Sequence, residues 1–500
     1  MFSEADKELE SVRSAVSQRF PVYDTRVTPQ AVQFLVTVDP NTMEERFEDL
    51  RMELVPKNYI PFLAREGGEY VILVQRRPQQ RFVGRHVNLI LLVFTILTTT
   101  LAGAFTWGGY ADVDAFSLEA VAGGSLYFTL PLMTVLGIHE MGHYVMARRY
   151  KVHASLPFFI PAPGTILGTF GAMISMRDPM PNRKALIDIG AAGPVLGILT
   201  AIPITLVGLA LMSGDPHPAP PNPGGQLTVE LPLLYQILAW FIPIPQDAIL
   251  HPTAFAGWVG LFVTALNLLP AGQLDGGHVA RAVLGDKTKY LSWAAIAAML
   301  VLGIVTPFGG WLIIALFILL LGARHPPPLN DLTKLDVKRH GLAVVVVVVI
   351  LLSFVAIPLQ VVPPVRGIQF EDSGAPGIAV TELSTNASAG NLTSFSFVVN
   401  NTGNVRTNVT LRIDALDIGN AGLNVSIREV QIGNRTVTVN ADNTSFNLDS
   451  SEIAQVTLVL NATAYNLTLG QNWTFNVLAR VQPDYFDPSD LMLRVTMRVE

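Results

Sequence analysis

The sequence contains no cysteine among its 500 residues. Disulfide bonds, zinc sites with cysteine ligands and thiol nucleophiles are therefore excluded, and any bound metal must use His, Asp or Glu. Charged residues are also scarce, at 14% of the chain, while hydrophobic residues make up 50%. Because soluble globular proteins carry about 25% charged residues, this composition predicts a membrane protein.

The chain also lacks any concentration of positive charge. Its net charge is -6, and no basic stripe or arginine-rich arm of the kind that neutralises phosphates is present. We therefore expect no nucleic acid partner. The first thirty residues lack an apolar core and a small-residue cleavage site, which predicts no removable signal peptide and a cytoplasmic N-terminus.

Apolar stretches between about residues 87 and 360 predict seven spans of a lipid bilayer. By the positive-inside rule, the basic residues that flank these stretches place the N-terminus in the cytoplasm and the chain after the seventh span outside. A multi-pass protein of the cell membrane is the expected location. The placement of residues 229–250 stays open. The predicted spans cover residues 87–107, 122–147, 185–212, 253–283, 290–306, 310–321 and 341–360.

Both ends of the chain differ from this apolar middle. Short alternating runs such as VQFLVTV near the N-terminus predict a small α+β domain. The tail is rich in Thr, Val, Asn and Ser, with strand-like runs such as VTLVLN, and predicts an all-β immunoglobulin-like sandwich. This tail also carries about ten N-x-S/T motifs, which agrees with an outside location. They include Asn391, Asn408, Asn424, Asn461 and Asn472.

The predicted fold class is therefore a polytopic α-helical membrane protein with a six-span core plus a seventh span, between two folded end domains. The predicted divisions are a cytoplasmic α+β domain at 1–85, the membrane core at 86–325, a cytoplasmic linker at 326–340, the seventh helix at 341–360 and the extracytoplasmic β-sandwich at 361–500.

The second predicted span contains the segment GIHEMGHYVMA. His139 and His143 are four residues apart and share one helical face, so that both imidazoles can hold one ion. Glu140 lies on the adjoining face, within reach of a water molecule on that ion, as in an HExxH metalloprotease. A charged side chain at membrane depth costs about 2.5–3.5 kcal/mol, so Glu140 needs a partner or a chemical task.

A catalytic zinc needs a third protein ligand and one open position. Asp275, in NLLPAGQLDGGH, is the other acidic residue embedded in apolar sequence downstream, and the alternation of spans places it at the depth of the two histidines. Pro270 and Gly272 predict a break in this span, which would line a water-accessible cavity. The sequence thus predicts a metal site formed by His139, His143 and Asp275.

HExxH on one span, followed by N-x-x-P-x-x-x-LDGG on a later one, resembles the signature of the site-2 protease family. The segments GTFGAMI and AAGPVLG resemble its plant-plastid, cyanobacterial and archaeal branch. The resemblance covers about residues 85–325 and implies one Zn2+ per chain on the predicted ligands, with Glu140 as catalytic acid and base. It further implies that Asn267 helps to bind substrate or to stabilise the oxyanion, and that the substrates are transmembrane proteins cut within the bilayer.

Other interpretations stay open from the sequence. The buried acids could belong to a transporter or ion pathway, although no inverted repeat is evident. A catalytically inactive scaffold of the same fold is the other alternative. His153 and His278 are expected to be surface or interfacial residues, and Gly193 and Gly197 are expected to allow close helix packing. The segment GTILGTFGAMIS could bind an extended peptide by β-augmentation or serve only in packing.

Overall fold

The structure is a computed structural model, and it divides into two compact units. The first comprises residues Met1–Ala219 and Val229–Leu359, and the second comprises Pro220–Thr228 and Gln360–Glu500. The described residues are 4–28, 31–77, 85–176, 178–217, 226–244, 248–362, 367–387, 392–403, 406–414, 424–440, 443–449, 451–461, 472–482 and 491–499.

The N-terminal part of the first unit is a four-stranded sheet with two helices, as the alternating runs predict. The strand order is β1-β2-β4-β3, and every neighbouring pair is antiparallel. Apolar side chains of both helices and of the sheet share one core, which includes Val16, Phe34, Phe47 and Ile72. The elements are α1 (Glu4–Ser17), β1 (Val22–Val27), β2 (Ala31–Val36), α2 (Met43–Leu54), β3 (Tyr59–Glu66) and β4 (Glu69–Arg76).

The rest of the first unit is helical, apart from the hairpin of β5 and β6 and the last residue of the short strand β7. Four helical runs are long and apolar enough to cross a membrane, namely His86–Ala111, Leu118–Arg149, Arg183–Gly214 and Asp275–Val305. The elements are α3 (Arg85–Ala111), α4 (Leu118–Gly124), α5 (Leu130–Arg149), β5 (Phe158–Pro161), β6 (Thr169–Met173), α6 (Arg183–Gly214), β7 (Gln226–Val229), α7 (Leu233–Ala239), α8 (Pro252–Asn267), α9 (Asp275–Leu284), α10 (Thr288–Val305), α11 (Gly310–Leu321) and α12 (Val337–Ser353).

The described helices differ from the predicted spans at two places. The predicted fourth span breaks after Asn267, as its proline and glycines indicated. Its second half, α9, continues into the predicted fifth span. Only a 3-10 turn at Gly285–Lys287 separates α9 from α10, and the two form one long helical run. The final helix α12 ends at Ser353, earlier than predicted. Phe354 adopts an extended backbone, with φ -76 and ψ 138, which ends the helix, and Pro358 keeps Ile357 out of the helical region as well.

The prolines and glycines between α5 and α6 predict a re-entrant loop or a hairpin in place of a continuous spanning helix, and the segment forms a hairpin. Strands β5 and β6 pair in antiparallel fashion, and Gly168 precedes β6 with φ 71. The hairpin lies against α3, where the Thr98 hydroxyl donates to the carbonyl oxygen of Gly168 at 2.7 Å. Phe170 of β6 is 75% exposed. The hairpin therefore fills space beside the membrane helices without adding a span.

The second unit is all-β, as its composition predicts. Its two main sheets have the strand orders β10-β9-β12-β17-β14-β15 and β11-β19-β18-β13-β16 and bury side chains in one shared core. Of the N-x-S/T motifs, Asn424 and Asn472 are exposed, while Asn391 lies outside the described residues. The strands are β8 (Leu359–Val362), β9 (Ile368–Asp372), β10 (Ala375–Ala379), β11 (Glu382–Ala387), β12 (Leu392–Asn401), β13 (Thr407–Asp414), β14 (Asn424–Ile432), β15 (Arg435–Val437), β16 (Asn443–Leu448), β17 (Ile453–Asn461), β18 (Asn472–Gln482) and β19 (Leu491–Val499).

Candidate metal centre

The helix α5 continues from α4 through one turn of π-helix at Ser125–Thr129. It presents His139 and His143 on one face, and both side chains are buried, with exposures of 3% and 6%. Glu140 is 5% exposed. Three polar side chains in the middle of a helix that can cross a membrane carry a large desolvation cost, which predicts a common polar or ionic partner.

Asp275 supplies the third group. Its Oδ2 lies 3.2 Å from Nε2 of His139 and 3.1 Å from Nε2 of His143, and the two imidazole nitrogens are 3.3 Å apart. These are the three residues that could hold a metal ion together among the residues that the structure describes. The structure therefore brings the three predicted ligands to one point, although Asp275 is 132 residues from His143.

The tautomer of His143 follows from its other ring nitrogen. Nδ1 lies 2.7 Å from the carbonyl oxygen of Ile189 on α6, a group that can only accept a hydrogen bond. Nδ1 therefore carries a proton, which leaves Nε2 as the ring atom that would direct a lone pair to a metal ion between His139 and Asp275. A metal-ligating histidine typically donates its second N–H to a carbonyl or carboxylate in this way.

The donor set fits zinc. Two imidazole nitrogens and a carboxylate oxygen are common zinc ligands, and ligands about 2.0–2.1 Å from a tetrahedral ion are about 3.3 Å from each other. The separations of 3.1–3.3 Å match that value. With both imidazoles neutral and their Nε2 lone pairs turned inwards, these atoms would repel one another, and a cation among them would offset that repulsion.

Glycines of α6 make room for the two histidine rings. A Cβ built on Gly193 would overlap Nε2 of His143, and one built on Gly197 would lie 2.8 Å from Nδ1 of His139. The expected close packing of the AAGPVLG segment is present, and its reason is specific: the glycines face imidazole rings. Sequence reasoning missed this role, although the spacing of four residues between the glycines equals that between the histidines.

The turn between α8 and α9 places Asp275 as the first residue of α9. Gly272 has φ 55, in the left-handed region that favours glycine. A Cβ on Gly276 would overlap the carbonyl oxygen of Leu268, and one on Gly277 would overlap that of Gly272. The two glycines after Asp275 thus let the start of α9 pack directly on the turn, which fixes the carboxylate at the helix N-terminus.

One amide contacts this cluster, and the two other histidines considered in the sequence, His278 and His153, bond to different partners. Nδ2 of Asn267, the last residue of α8, lies 3.3 Å from Nε2 of His139. His278 is half-buried, and its Nδ1 lies 2.5 Å from Nε2 of His325, a partner that the sequence did not predict. His153 is exposed, as expected, and its Nδ1 lies 2.6 Å from Asp178.

The fold and this cluster define a polytopic membrane protein with a buried His-His-Asp cluster that could hold a metal ion. Residues 127–308 match the sequence model of peptidase family M50. Among characterised relatives, the chain is 32% identical over 239 residues to "Probable zinc metalloprotease EGY1, chloroplastic" of Arabidopsis thaliana, covering 45% of this chain and 42% of that protein. Residues 127–308 thus resemble peptidase family M50, to which the site-2 proteases belong, and the likeness of the chain to plant plastid proteins agrees with the predicted branch.

Two further relatives give the same picture. "Probable zinc metalloprotease EGY2, chloroplastic" of Arabidopsis thaliana is 29% identical over 235 residues, covering 45% of this chain and 40% of that protein. "Probable zinc metalloprotease EGY3, chloroplastic" of Oryza sativa subsp. japonica is 29% identical over 286 residues, covering 51% and 47%. The chain thus spans less than half the length of these relatives.

Proposed function

We propose that this protein is a zinc-dependent intramembrane endopeptidase that hydrolyses peptide bonds of transmembrane proteins. The observation that carries the proposal is the convergence of His139, His143 and Asp275 beside Glu140, all on helices long and apolar enough to cross a membrane. Zinc is the proposed cofactor, one per chain, and the names of the relatives given above support it.

The ligands in this proposal are the two imidazoles and the Asp275 carboxylate. When bound, zinc lowers the pKa of a water ligand towards about 7 and polarises a carbonyl group. Glu140 follows His139 directly on α5, so its carboxylate is in the position to take the proton of the attacking water and to return it to the leaving amine. The buried position of Glu140 excludes bulk water from that transfer.

Asn267 is proposed to orient the substrate. Its amide lies at the C-terminal end of α8, within 3.3 Å of the His139 ring, and could donate a hydrogen bond to the carbonyl under attack or to the oxyanion that forms. An amide in this role contributes about 2.7–4 kcal/mol to the transition state in well-studied hydrolases.

A substrate helix must unwind before its backbone can be attacked, because all its peptide groups are bonded internally. The hairpin is proposed to hold the unwound segment, since a two-stranded sheet has unpaired backbone groups at its edges. Exposed Phe170 and Met173, at 75% and 45%, would contact side chains of such a peptide.

Bound zinc and cleavage of a model transmembrane peptide test the central claim. The purified full chain should hold about one zinc and cleave the peptide, and Glu140→Gln should retain the zinc while cleavage falls at least about 100-fold. Glu119→Gln removes an exposed carboxylate earlier in the same helical run and should change neither quantity. A chain that holds no zinc would contradict the proposal and would favour the transporter interpretation instead.

We also propose the finer architecture that the sequence indicated: six spans plus a seventh, a cytoplasmic N-terminus, an immunoglobulin-like C-terminal domain outside, and the cell membrane as location. The lack of native cysteine gives a direct test of sidedness. Glu66→Cys and Ser384→Cys each introduce one exposed thiol. In intact cells, a membrane-impermeant maleimide should label only the variant at residue 384. Labelling of the variant at residue 66 alone would indicate the opposite orientation.

A further inference from the structure

A cavity of about 350 Å³ lies between the N-terminal sheet unit and the end of α5. Its size is at the lower end of the range of about 300–1,000 Å³ that ligand pockets occupy. It is distinct from the metal centre, because none of its lining residues is a proposed ligand or catalytic group. The lining comes from α2 and the turn after it (Arg51, Met52, Val55, Pro56), from the end of α5 and the segment after it (Arg148, Lys151, Val152, His153), and from Asp178.

Positive charge dominates this cavity once existing ion pairs are taken into account. The side chain of Asp178 is 2% exposed, and it is bound by Arg77 at 2.7 Å and by the backbone and ring nitrogens of His153 at 2.9 and 2.6 Å. Burial alone would raise the pKa of Asp178, but the hydrogen bonds from His153 and the charge of Arg77 outweigh burial and lower it. Its negative charge is therefore already neutralised.

Arg51 is paired as well. Its buried guanidinium forms two bonds to Glu48, at 2.8 and 2.5 Å, and a third, at 3.3 Å, to the carbonyl oxygen of Tyr150. Arg148 and Lys151 are different, because within the described part of the chain neither has a carboxylate partner, and Arg148 only contacts the ring of Tyr144. Two unneutralised cations therefore face one small cavity.

The backbone of Lys151 gives a second, independent observation. Lys151 has φ 54, in the left-handed region that residues with a side chain seldom adopt. It is the first residue after the cap of α5, where the amide of Val152 binds the carbonyl of Ala147 and that of Lys151 binds the carbonyl of Arg148. Glycine is the usual residue at this position of such a motif. A lysine at this position makes the backbone conformation less stable than a glycine would, and it places an ammonium group at the cavity.

The place of the cavity relative to the membrane indicates what binds there. Arg149 is the last residue of the candidate span Leu118–Arg149, so Arg148 and Lys151 lie at the end of that helical run, the level at which basic residues flank a span. Phospholipid headgroups occupy this level, and basic residues next to a span attract anionic ones. Apolar Met52, Val55 and Val152 complete the lining beside the charges.

We propose that this cavity binds a phosphate group, with Arg148 and Lys151 as its cationic ligands, and that the phosphate belongs to an anionic phospholipid at the membrane surface. Because Arg148 lies on α5, five residues after His143, an occupied cavity holds the end of the helix that carries the metal centre. The same recognition chemistry would accept soluble phosphate, and the experiment distinguishes the two sources.

The experiment follows the Tm of the full chain in detergent while a probe is titrated. Short-chain phosphatidylglycerol should raise the Tm in a saturable manner, whereas short-chain phosphatidylcholine, whose choline group cancels the charge, should not. In Lys151→Gln the half-saturating concentration should rise about tenfold or more, as loss of one charged hydrogen bond predicts. Lys151→Arg should keep most of the effect. If inorganic phosphate acts as well as phosphatidylglycerol, the phosphate site stands and its source is soluble.

Arg149→Gln is the matched control. It removes the same charge from the same turn, and like Arg148 it lies near the negative end of the helix dipole, but it does not line the cavity. Its half-saturating concentration should stay within about twofold of the native value. Equal weakening in Arg149→Gln and Lys151→Gln would overturn the proposal in favour of unspecific surface attraction. A native chain whose Tm responds to none of the probes would overturn it as well.

Lys151→Gly separates binding from folding. Glycine adopts φ 54 without strain, so this variant should have the same or a higher Tm without probe, yet require about tenfold more phosphatidylglycerol. A lysine retained only for the structure of the turn would give the opposite pattern, with a lower Tm and an unchanged response, and would overturn the proposal.

Discussion

Gly193 of α6 faces the imidazole ring of His143 on α5 with no space between them for a side chain, since a Cβ built on Gly193 would overlap Nε2 of the ring. The metal centre therefore depends on a residue that contributes no ligand atom. A single methyl group at this point would push the ring away from Asp275.

Gly193→Ala should lower bound zinc and peptide cleavage at least about tenfold, with a loss of about 1–3 kcal/mol in stability from overpacking. Gly137→Ala is the control, because this glycine lies on the same helix as His143 and a Cβ there meets nothing within 4 Å. Metal analysis of both purified variants checks the prediction. Full zinc occupancy in Gly193→Ala would show that the ring can move without cost.

Asp275→Ala should weaken zinc binding at least about 100-fold, close to 3 kcal/mol, because two neutral imidazoles alone hold zinc poorly. Asp286→Ala removes a carboxylate from the same region whose side chain is 89% exposed, and it should leave zinc binding unchanged. Competition with a chromogenic chelator measures both affinities. Similar affinities in the two variants would exclude Asp275 as a ligand.

The pH dependence of stability should include a contribution from His251. Its Nδ1 accepts the N–H of Thr253 at 3.1 Å and caps α8, so the ring must be neutral at that atom. Burial and the nearby His217 lower the pKa of His251 to about 4, although Asp215 acts in the opposite direction. The unfolded chain takes up this proton near pH 6.5 and the folded chain only near pH 4.

The stabilising contribution of His251 is therefore complete above about pH 6.5 and is lost as the pH falls towards 4, by about 3 kcal/mol in total. His251→Asn keeps a capping oxygen but does not titrate. The Tm of this variant, followed from pH 7 to 4 in detergent, should fall less than that of the native chain. If the Tm of both proteins fell equally with pH, protonation of His251 would have no part in the loss of stability at acid pH.

Arg339→Gln should destabilise the first unit by about 2–3 kcal/mol, because it leaves a half-buried carboxylate without its main partner. Arg339 of α12 bonds to Asp188 of α6 at 2.6 Å and to the hydroxyl of Tyr150, the C-cap of α5, at 2.8 Å, which ties α12 to α6 and to the end of α5. Arg26→Gln breaks an exposed pair with Asp24 and should change stability by at most about 0.5 kcal/mol. Unfolding in detergent compares the two; equal effects would mean that the Arg339 pair contributes no more than an exposed one.

The sequence was sufficient to predict what depends on spacing along one element. His139 and His143 share a face because a helix repeats every 3.6 residues, and Asp275 stood out as an acid in an apolar segment. Prolines and glycines predicted the hairpin before α6. The contact of Gly193 with His143 could not be predicted, because hydropathy does not specify which faces of two helices meet.

The sequence also did not predict which strands are neighbours in the sheets. Alternation predicts which side chains of β17 are buried, and Ala454, Val456 and Leu458 are buried as that pattern requires. It does not predict that β11 pairs in parallel with β19, more than one hundred residues later, with Glu382 opposite Arg494. The sequence also does not show that α9 and α10 follow each other directly: Gly285, with φ 60, ends α9, and only one 3-10 turn precedes α10.

The unbroken course of α5 to Arg149 has a geometric consequence for the products of the proposed reaction. His143 and His139 lie six and ten residues before Arg149, which corresponds to about 9 and 15 Å along the helix axis. If Arg149 marks the surface of the hydrocarbon, a membrane helix aligned beside α5 is cut about 6–10 residues from its own end on that side. The position of the two histidines along one helix would thus act as a ruler, and the length of the released fragment would depend on depth more than on side-chain identity.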